Sequence, residues 1–511
     1  MGNTSAENDA WTRREPLVIV GLAAVTGIVY LAWSVLAAGE LGFPLDDSWI
    51  HQVFARSLAE TGEMAYNPGE PTAGSTAPLW TVLLALARLL PVDPRWSAYL
   101  YGMFFLAGSA WLMSRIWRRL CPSAAGLVAV APAVLLLMDW HMAWAALSGM
   151  ETCLFIFLSL LLVYLTMKSA APWEVGLVAG LLTVTRPEGV VLATLCWARG
   201  NWDLWSEQQR PEDEVASRQG RRPTLARAVR YSLAWGVAFL LPLAPYLAFS
   251  WNVSGSLLPN TFYAKVATYG RAGLLGLLSF FGETAVVLVL GPLALLAPGL
   301  VVSAALVWRR SRDALLLWGW PLALLALYAW RLPATYHHAR YEMPVLPFLI
   351  LLGWWGIVGF PGRQQLRLLS RVYPWLLAAL VAGSWVRGVG IYGGDVRFIN
   401  VTQVSAARWL RDNTPPTAVV GTHDIGAIGY FSGRRILDTA GLITPEVVPW
   451  IHDQPHLLEY LRQQRVGYVA QFTVWYPQIS AALKDREVYR VHDAAVAAAG
   501  GDDFVIYQTG W

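Results

Sequence analysis

The feature that most constrains this sequence is the apolar run at residues 16–39, PLVIVGLAAVTGIVYLAWSVLAAG. As a helix, this segment is long enough to cross the roughly 30 Å hydrocarbon core of a bilayer. No small-residue cleavage site follows a short apolar core, so we interpret it as a retained first helix and not as a signal peptide. Similar runs recur along the chain, of which 56% is hydrophobic and only 14% is charged. This composition excludes an ordinary soluble domain and indicates an integral membrane protein.

The other apolar runs predict how the chain crosses the membrane. They occupy residues 96–117, 123–140, 153–167, 172–198, 228–250, 283–308, 313–330, 343–360 and 372–391. The run 172–198 contains TRPEG, whose proline and flanking charges predict two short helices that meet at residues 186–189. Segment 77–90 is short and is closed by prolines, which favours a partial or interfacial helix. The sequence therefore predicts an α-helical polytopic protein with about eleven transmembrane helices.

The distribution of arginine predicts the orientation of these helices. Arginines cluster in the loops at residues 115–119, 199–230, 309–312 and 363–371. Loops rich in Lys and Arg usually stay in the cytoplasm. We therefore expect a multi-pass protein of the plasma membrane with a cytoplasmic N-terminus, a first outer loop at residues 40–95 and an extracytoplasmic C-terminus.

The sequence after residue 392 differs in kind from the membrane part. The stretch TAVVGTHDIGAIGYFSGRRILDTAG predicts strand, turn, short helix and strand, and HLLEYLRQQRVGYVAQF predicts a helix followed by a strand. About 115 residues suffice for a small α/β domain with its own core. We thus divide the chain into a transmembrane catalytic domain at residues 1–392 and an extracytoplasmic α/β domain at residues 393–511.

Under this topology, the unusual polar residues collect on the outer side. Ionisable groups at membrane depth are costly, so they usually face a cavity and pair with one another or with a ligand. The residues are Asp46, Asp47, His141, Glu151, Arg186, Glu188, Asn260, Tyr263, Lys265, His337, His338, Arg340, Tyr341 and Glu342. They predict an outward-facing polar cavity. An alternative for Asp46 and Asp47 is that they cap the surface helix that begins near Ser48.

This set of side chains fits transfer from a lipid-anchored sugar donor. A sugar on a polyprenyl phosphate keeps its tail among the membrane lipids and presents its phosphodiester at the interface. Cations bind such a phosphate, and the candidates are Lys265, Arg186 and Arg340, with His337 or His338. One carboxylate would take the proton from the acceptor hydroxyl as it attacks the anomeric carbon. We expect no nucleic-acid partner.

The segment DDSWIHQVFARSLAETGEMAYNPGEPTAGSTAPLWT, residues 46–81, resembles the first outer loop of the GT-C superfamily of membrane glycosyltransferases, which use polyprenyl-phosphate sugars. Together with SGMET, TRPEG, LPNTFYAK and DIGAIGY, it is most similar to the branch that contains the cell-wall arabinofuranosyltransferases. It is more distantly similar to the protein O-mannosyltransferases and the lipid A aminoarabinose transferases. The motifs extend from residue 46 to residue 430, so the resemblance covers most of the chain.

The resemblance implies a role for each matching residue. Asp46 would be the catalytic base, and Asp47 would support it or contact a metal. The donor site would be lined by Glu151, Arg186, Glu188, Asn260 and Lys265, and Tyr263 lies in the same motif as the last two. Some members of the superfamily need a divalent cation such as Mg²⁺, Mn²⁺ or Ca²⁺, and the sequence shows no compact ligand cluster that decides this. The tail is shorter than the carbohydrate-binding extensions of many arabinosyltransferases, which disfavours an arabinan acceptor.

The sequence thus predicts an inverting glycosyltransferase that acts on a hydroxyl of an extracytoplasmic glycan, lipid or protein. A transporter or flippase of a lipid-linked saccharide is the alternative, since it would need a similar cavity. Transporters commonly contain inverted repeats with a broken helix in each half, whereas this sequence has one interrupted helix and no internal repeat. A scaffold that binds a partner would not explain why acids and cations converge from five loops.

Overall fold

The computed structural model describes residues 2–208, 224–257, 259–269, 273–288, 291, 293–310, 312–333, 335–360, 367–498 and 501–511. The predicted basic loop at residues 199–230 lies partly outside this range. Helices form most of the first 413 residues. They are α1 (Gly2–Ala38), α2 (Asp47–Thr61), α3 (Pro78–Ala87), α4 (Pro94–Leu120), α5 (Gly126–Leu137), α6 (Trp140–Leu147), α7 (Thr152–Met167), α8 (Pro172–Thr185), α9 (Gly189–Gln208), α10 (Thr224–Ser254), α11 (Asn260–Tyr269), α12 (Leu274–Leu288), α13 (Ala294–Arg310), α14 (Arg312–Arg331), α15 (Leu346–Val358), α16 (Arg367–Ile399) and α17 (Ser405–Asn413).

Several of these helices are long and apolar enough to cross a membrane. Within the described residues they are Arg14–Ala38, Leu225–Ser254, Arg312–Arg331 and Arg371–Asn413. The pair α5 and α6 passes the same test as one span bent by 53°, and six shorter helices are also apolar. The protein is therefore a multi-pass membrane protein. The count of about eleven spans and their orientation remain predictions.

The apolar runs of the sequence are broken more often than predicted. TRPEG separates α8 from α9 as expected, because Pro187 cannot continue the helix. The run 123–140 ends at Asp139, whose side chain accepts hydrogen bonds from the first amides of α6. The predicted run at 283–308 contains the end of α12 and most of α13, and some residues between these helices lie outside the described range. Short helices meeting at breaks are therefore a general feature of this bundle.

The first outer loop contains two helices. The surface helix predicted near Ser48 is α2, which ends where Gly62 adopts a left-handed φ of 75° and donates its amide hydrogen to the carbonyl of Leu58. The short segment predicted at residues 77–90 is α3, only ten residues long. Both helices pack against each other and place the loop over the bundle.

The C-terminal part forms a five-stranded mixed sheet, which confirms the predicted small α/β domain and adds two strands to the three predicted. Its elements are β1 (Val419–Thr422), α18 (Ile425–Ser432), β2 (Arg435–Asp438), α19 (Gln454–Gln463), β3 (Tyr468–Phe472), α20 (Pro477–Ala482), β4 (Glu487–Val491), α21 (Ala494–Ala498) and β5 (Phe504–Gln508). The strand order is β2-β1-β3-β5-β4. β1 pairs with β2 and β3 in parallel, whereas β5 pairs with β3 and β4 in antiparallel fashion. The carboxyl ends of three parallel strands therefore lie at one edge.

One face of this sheet packs against the first outer loop. Val53 and Phe54 of α2 are buried in the same apolar cluster as Val420, Ile428 and Phe472 of the sheet domain. The predicted boundary between residues 392 and 393 falls inside α16, and the helical path continues through a π-helical turn into α17. The sheet domain is thus joined to the bundle by a continuous helix and by a shared core.

Candidate active site

A cavity of about 390 Å³ lies where the first outer loop, the break between α8 and α9, and the segment before α15 meet. Apolar side chains such as Ile50, Val190 and Phe262 form much of its wall. Six predicted site residues line it: Asp47, Glu151, Arg186, Glu188, Lys265 and Arg340. The structure thus brings together acids and cations from five separate segments of the chain.

Asp47 is the aspartate of the DD pair that faces this cavity. It lies in the first turn of α2, where the helix dipole favours a carboxylate. Its Oδ2 accepts a hydrogen bond from Nη2 of Arg340, which forms an ion pair with it. Burial alone would raise the pKa of Asp47, but Arg340 and Lys265 outweigh burial and hold this pKa well below its ordinary value. Asp47 is therefore a carboxylate at neutral pH.

Arg340 reaches the cavity from a strained turn. His337, His338 and Ala339 have φ angles of 43°, 58° and 56°. This left-handed region costs residues other than glycine about 1–2 kcal/mol each. Arg340 is only 3% exposed, and its Nε and Nη1 have no hydrogen-bond partner among the described residues. Buried donors without acceptors are unfavourable, so the turn holds a guanidinium that an anionic ligand would complete.

Tyr341 connects two of the cations. Nζ of Lys265 donates to the Tyr341 hydroxyl at 2.7 Å, and Nη2 of Arg340 donates to the same oxygen at 3.1 Å. Burial raises the pKa of Tyr341, but Arg340 and Lys265 outweigh it, so the pKa lies below its ordinary value. This cation cluster, Lys265, Arg340 and Tyr341, stands directly beside the Asp47 carboxylate.

Arg186 is engaged by groups close to its own helix break. Its Nε donates to Oε1 of Glu188 at 2.6 Å, and its Nη2 donates to the hydroxyl of Tyr328 at 2.7 Å. Oε1 of Glu151 lies 3.8 Å from the same Nε, and Oε2 of Glu151 lies 3.4 Å from Nε2 of His51. Two carboxylates, those of Glu188 and Glu151, compensate the charge of Arg186. Arg186 therefore mainly stabilises the break between α8 and α9 and leaves little positive charge for a ligand.

Asp46, the predicted base, points away from the cavity. Its Oδ2 accepts a hydrogen bond from the amide of Gly426 at 2.6 Å, and its Oδ1 accepts one from the amide of Ala427 at 2.7 Å. Both amides belong to the first turn of α18. Both carboxylate oxygens thus bind the sheet domain, and Asp46 does not line the cavity. The assignment of Asp46 as the base stays a prediction, and this geometry favours Asp47 instead. The alternative that the Asp46 side chain caps α2 is not supported, since Asp46 makes no such hydrogen bond.

The two histidines predicted to contact phosphate are not placed as cations in the cavity. Burial and the nearby Arg340 lower the pKa of His337 to about 3, so this ring is uncharged. Nε2 of His338 lies 2.8 Å from Oδ2 of Asp395 on α16, and its ring packs against Trp144. Neither ring lines the cavity. Their role is in the strained turn that presents Arg340.

The motif LPNTFYAK contributes only some of its residues. Thr261 and Lys265 are one helical turn apart on α11, and both line the cavity. Asn260 begins α11 and donates its backbone amide hydrogen to the carbonyl of Ala73 at 3.1 Å. The hydroxyl of Tyr263 lies 2.9 Å from that of Ser256. Helical spacing therefore removes Asn260 and Tyr263 from the predicted donor site.

The cavity is also lined by residues that were not predicted, among them His51, Tyr328 and Arg331. His51 follows Asp47 by four residues, so the spacing on a helix gave a usable signal for it. Tyr328 and Arg331 lie on the last two turns of α14, which appear in the sequence only as the end of an apolar run. Their contact with the cavity depends on how α14 packs, which sequence spacing cannot show.

The divalent cation that the sequence left open, with Asp47 as a possible ligand, has no matching ligand set among the described residues at this place. No group of three or more His, Cys, Asp or Glu side chains in the described ranges is arranged to hold a metal ion. Next to Asp47, the available positions are taken by Arg340 and the neighbouring Lys265, which would repel a divalent cation. These residues do not fit a metal, and the reaction steps derived below do not use one.

Comparison with solved structures identifies the architecture. ArnT from Cupriavidus metallidurans in the apo state matches with a TM-score of 0.63 and 15% sequence identity, over 96% of this chain and 97% of that one. The chain has the GT-C fold. ArnT bound to undecaprenyl phosphate gives the same TM-score. The oligosaccharyltransferase of Archaeoglobus fulgidus shares the GT-C fold with a TM-score of 0.54 and 12% identity, over 95% of this chain and 72% of that one.

These similarities confirm the predicted superfamily at the level of the GT-C fold. At such low identity they leave the substrate and the branch open, so the arabinofuranosyltransferase-like branch stays a prediction. A family model described as "Domain of unknown function (DUF8728)" matches residues 395–507, which include the whole five-stranded sheet apart from its last residue. A search of curated proteins finds no match to this sequence.

Proposed function

We propose that this protein is an inverting glycosyltransferase that moves a sugar from a polyprenyl phosphate to a hydroxyl group of an extracytoplasmic acceptor. The observation that carries the proposal is the contact between one carboxylate, Asp47, and a buried cation with unpaired donors, Arg340, in a cavity of a GT-C fold. A carboxylate and an anion-binding group at one place are what this transfer needs.

The donor phosphate would bind at the cation cluster. Arg340 offers nitrogen donors that no described residue satisfies, and Lys265 lies within the same hydrogen-bonded group. Charge-assisted hydrogen bonds to phosphate contribute about 1.5–3 kcal/mol each. The apolar wall formed by Ile50, Phe262 and their neighbours suits the first isoprene units of a lipid tail. The opposing charge of Asp47 keeps the phosphate on the side of the cations.

Asp47 would act as the general base. As the acceptor hydroxyl attacks the anomeric carbon, its proton passes to the Asp47 carboxylate, and a new C–O bond forms on the face opposite the phosphate. The bond between the anomeric carbon and the phosphate oxygen breaks, and that oxygen keeps the electron pair. Arg340 and Lys265 stabilise the charge that develops on the leaving phosphate, so no acid is required. A single displacement of this kind inverts the anomeric configuration.

The acceptor would approach from the side of the sheet domain. Leu442 of that domain lines the cavity together with Asp47 and Ser75 of the first outer loop. We place this side outside the cytoplasm, because the arginine-rich loops are at the opposite ends of the helices. A glycan, a glycolipid or a protein hydroxyl would serve as acceptor.

The experiment uses purified full-length protein in lipid nanodiscs with a panel of polyprenyl-phosphate sugars and simple hydroxyl acceptors. We expect release of free polyprenyl phosphate together with a glycosylated acceptor from at least one donor. Asp47→Asn should abolish release, whereas Asp412→Asn, at an exposed surface pair with Arg411, should not.

The result that would contradict this proposal is transport: wild-type protein would move an intact lipid-linked sugar across a vesicle membrane without cleaving it. That result would support a transporter instead of a transferase. Product formation at an equal rate in wild type and Asp47→Asn would show that the base lies elsewhere.

A further inference from the structure

The sheet domain binds a carboxylate at the edge where open α/β sheets usually bind their ligands. Such ligands lie at the carboxyl ends of parallel strands, often at the N-terminus of the helix that follows a strand. Here β1 ends at Thr422 and α18 begins at Ile425. The anion at that helix is the Asp46 side chain, held by the amides of Gly426 and Ala427. The place of a ligand is thus taken by the first outer loop.

The local sequence explains why α18 depends on Asp46. Asp424 holds the N-cap position of α18, where an aspartate normally caps its own helix. Its side chain makes no capping bond and instead accepts a hydrogen bond from Nε2 of Gln403 at 2.9 Å. The amides of Gly426 and Ala427 therefore donate their hydrogen bonds to Asp46 and not to Asp424. The cap comes from a residue 380 positions away in the chain.

Further contacts hold the same two elements together. Arg56 of α2 donates to the carbonyl of Tyr430 near the end of α18 at 3.2 Å, so α2 supplies an anion to the start and a cation to the end of this helix. Each charge matches the helix dipole. A β-carbon at Gly426 would collide with the Asp46 carbonyl oxygen, and one at Gly429 would collide with the Tyr66 hydroxyl. These glycines permit the close approach.

We propose that Asp46 is a positioning residue. By binding its side chain, the sheet domain holds the first outer loop in place and thereby fixes the adjacent Asp47 carboxylate at the donor site. Asp46 and Asp47 are consecutive, so a hold on one restricts the backbone of the other. The inference rests on the proposed function. It assigns a role to the region that matches the family model of unknown function: this domain sets the geometry of an active site in the membrane part.

Two variants of Asp46 separate positioning from base catalysis. Asp46→Asn keeps one acceptor oxygen for the α18 amides, whereas Asp46→Ala keeps none. A positioning role predicts that Asp46→Asn retains clearly more activity than Asp46→Ala, whereas loss of a base would make both equally inactive. Because Asp46 does not line the cavity, the KM for the donor should stay within about twofold of wild type while kcat falls.

Gly426→Ala tests the contact between α18 and Asp46 without altering Asp46 or Asp47. Its methyl group displaces α18 from Asp46, so we expect kcat to fall roughly ten- to a hundredfold, the loss that follows a displacement of about 1 Å. The matched control is Gly467→Ala in the same domain, where the nearest atom to the new carbon is 3.8 Å away. Hydrogen exchange should accelerate in α2 and α18 for Gly426→Ala and remain unchanged for Gly467→Ala.

The outcomes are distinguishable. Wild-type kcat in Gly426→Ala despite faster exchange in α18 would overturn the inference, as would Asp46→Asn and Asp46→Ala variants that are equally inactive. If wild-type protein transfers sugar from no donor, the proposed function fails. In that case, unchanged hydrogen exchange at the amides of Asp47 and its α2 neighbours in Asp46→Ala would also overturn the positioning role of Asp46. Accelerated exchange at these amides would support it.

Discussion

The region around residues 46 and 47 contains two places that bind an anion, and they differ in the groups that do so. At the cavity, Arg340 forms an ion pair with the Asp47 carboxylate, and its Nε and Nη1 have no partner among the described residues. At the sheet edge, two backbone amides of α18 each donate a hydrogen bond to one oxygen of the Asp46 side chain. A site with unpaired donors can bind and release a ligand. A site occupied by a residue of the same chain instead links two parts of that chain, here the first outer loop and the sheet domain. In our proposal, Asp47 therefore acts in the reaction, whereas the adjacent Asp46 holds the loop in place.

The largest expected effect is at Asp47. Asp47→Asn keeps the size of the side chain and a capping atom for α2 but removes the proton acceptor. We expect turnover to fall by about 10²- to 10⁴-fold while donor binding persists. Steady-state rates and donor titrations measure the two quantities. A larger loss of turnover in Asp46→Asn than in Asp47→Asn would reverse the comparison between the two sites.

The second prediction concerns Arg340. Arg340→Ala removes the donors for phosphate and should weaken donor binding roughly ten- to a hundredfold, the equivalent of one charge-assisted hydrogen bond. It also removes the main cation that lowers the pKa of Asp47, so burial should move the acid limb of the pH–rate profile to higher pH. Arg340→Lys retains the charge and should shift that limb less. An unchanged donor affinity in Arg340→Ala would place the phosphate elsewhere.

The third prediction compares two cations in the same cavity. Lys265→Ala should weaken donor binding about tenfold with little loss of stability, because one charge-assisted hydrogen bond is removed. Arg186→Ala leaves Glu188 and Tyr328 buried without their cation, so it should lower the free energy of unfolding by about 3–5 kcal/mol. Thermal unfolding and donor titration of both variants check this. Equal effects on donor affinity would mean that Arg186 also contacts phosphate.

The last expected effect is on stability alone, and it is a pH dependence at the sheet edge. Asp438 is buried there and accepts hydrogen bonds from the amides of Ala440 and Ile443. Burial raises its pKa from 3.8 to about 6. Its folded-state pKa exceeds the unfolded one, so its ionisation reduces stability as pH rises from about 4 to 6, by roughly 3 kcal/mol in total. Wild type should lose stability over this range relative to Asp438→Asn, as thermal unfolding would show. Parallel stability curves would contradict this.

Much of the fold was accessible from the sequence because its signals are local. Run length and hydropathy indicated the membrane helices, and TRPEG indicated the break between α8 and α9. Residues 417–472 indicated β1, α18, β2, α19 and β3, whereas the elements after residue 472 were not predicted. The bend between α5 and α6 was missed, since a continuous apolar run hides a bend. Six of the eleven predicted site residues line the cavity, and all six carry charge, because buried charge needs a partner or a ligand.

The sequence by itself determined that this is a multi-pass membrane protein with a small α/β domain at its C-terminal end, and that one outer region gathers acids and cations. It could not determine which aspartate of the pair faces the donor site. Two consecutive side chains in the first turn of a helix point about 100° apart, and their surroundings depend on which segments pack there. Only the tertiary structure brings α18 against Asp46 and Arg340 against Asp47, because these partners are about 300 to 380 residues distant in sequence.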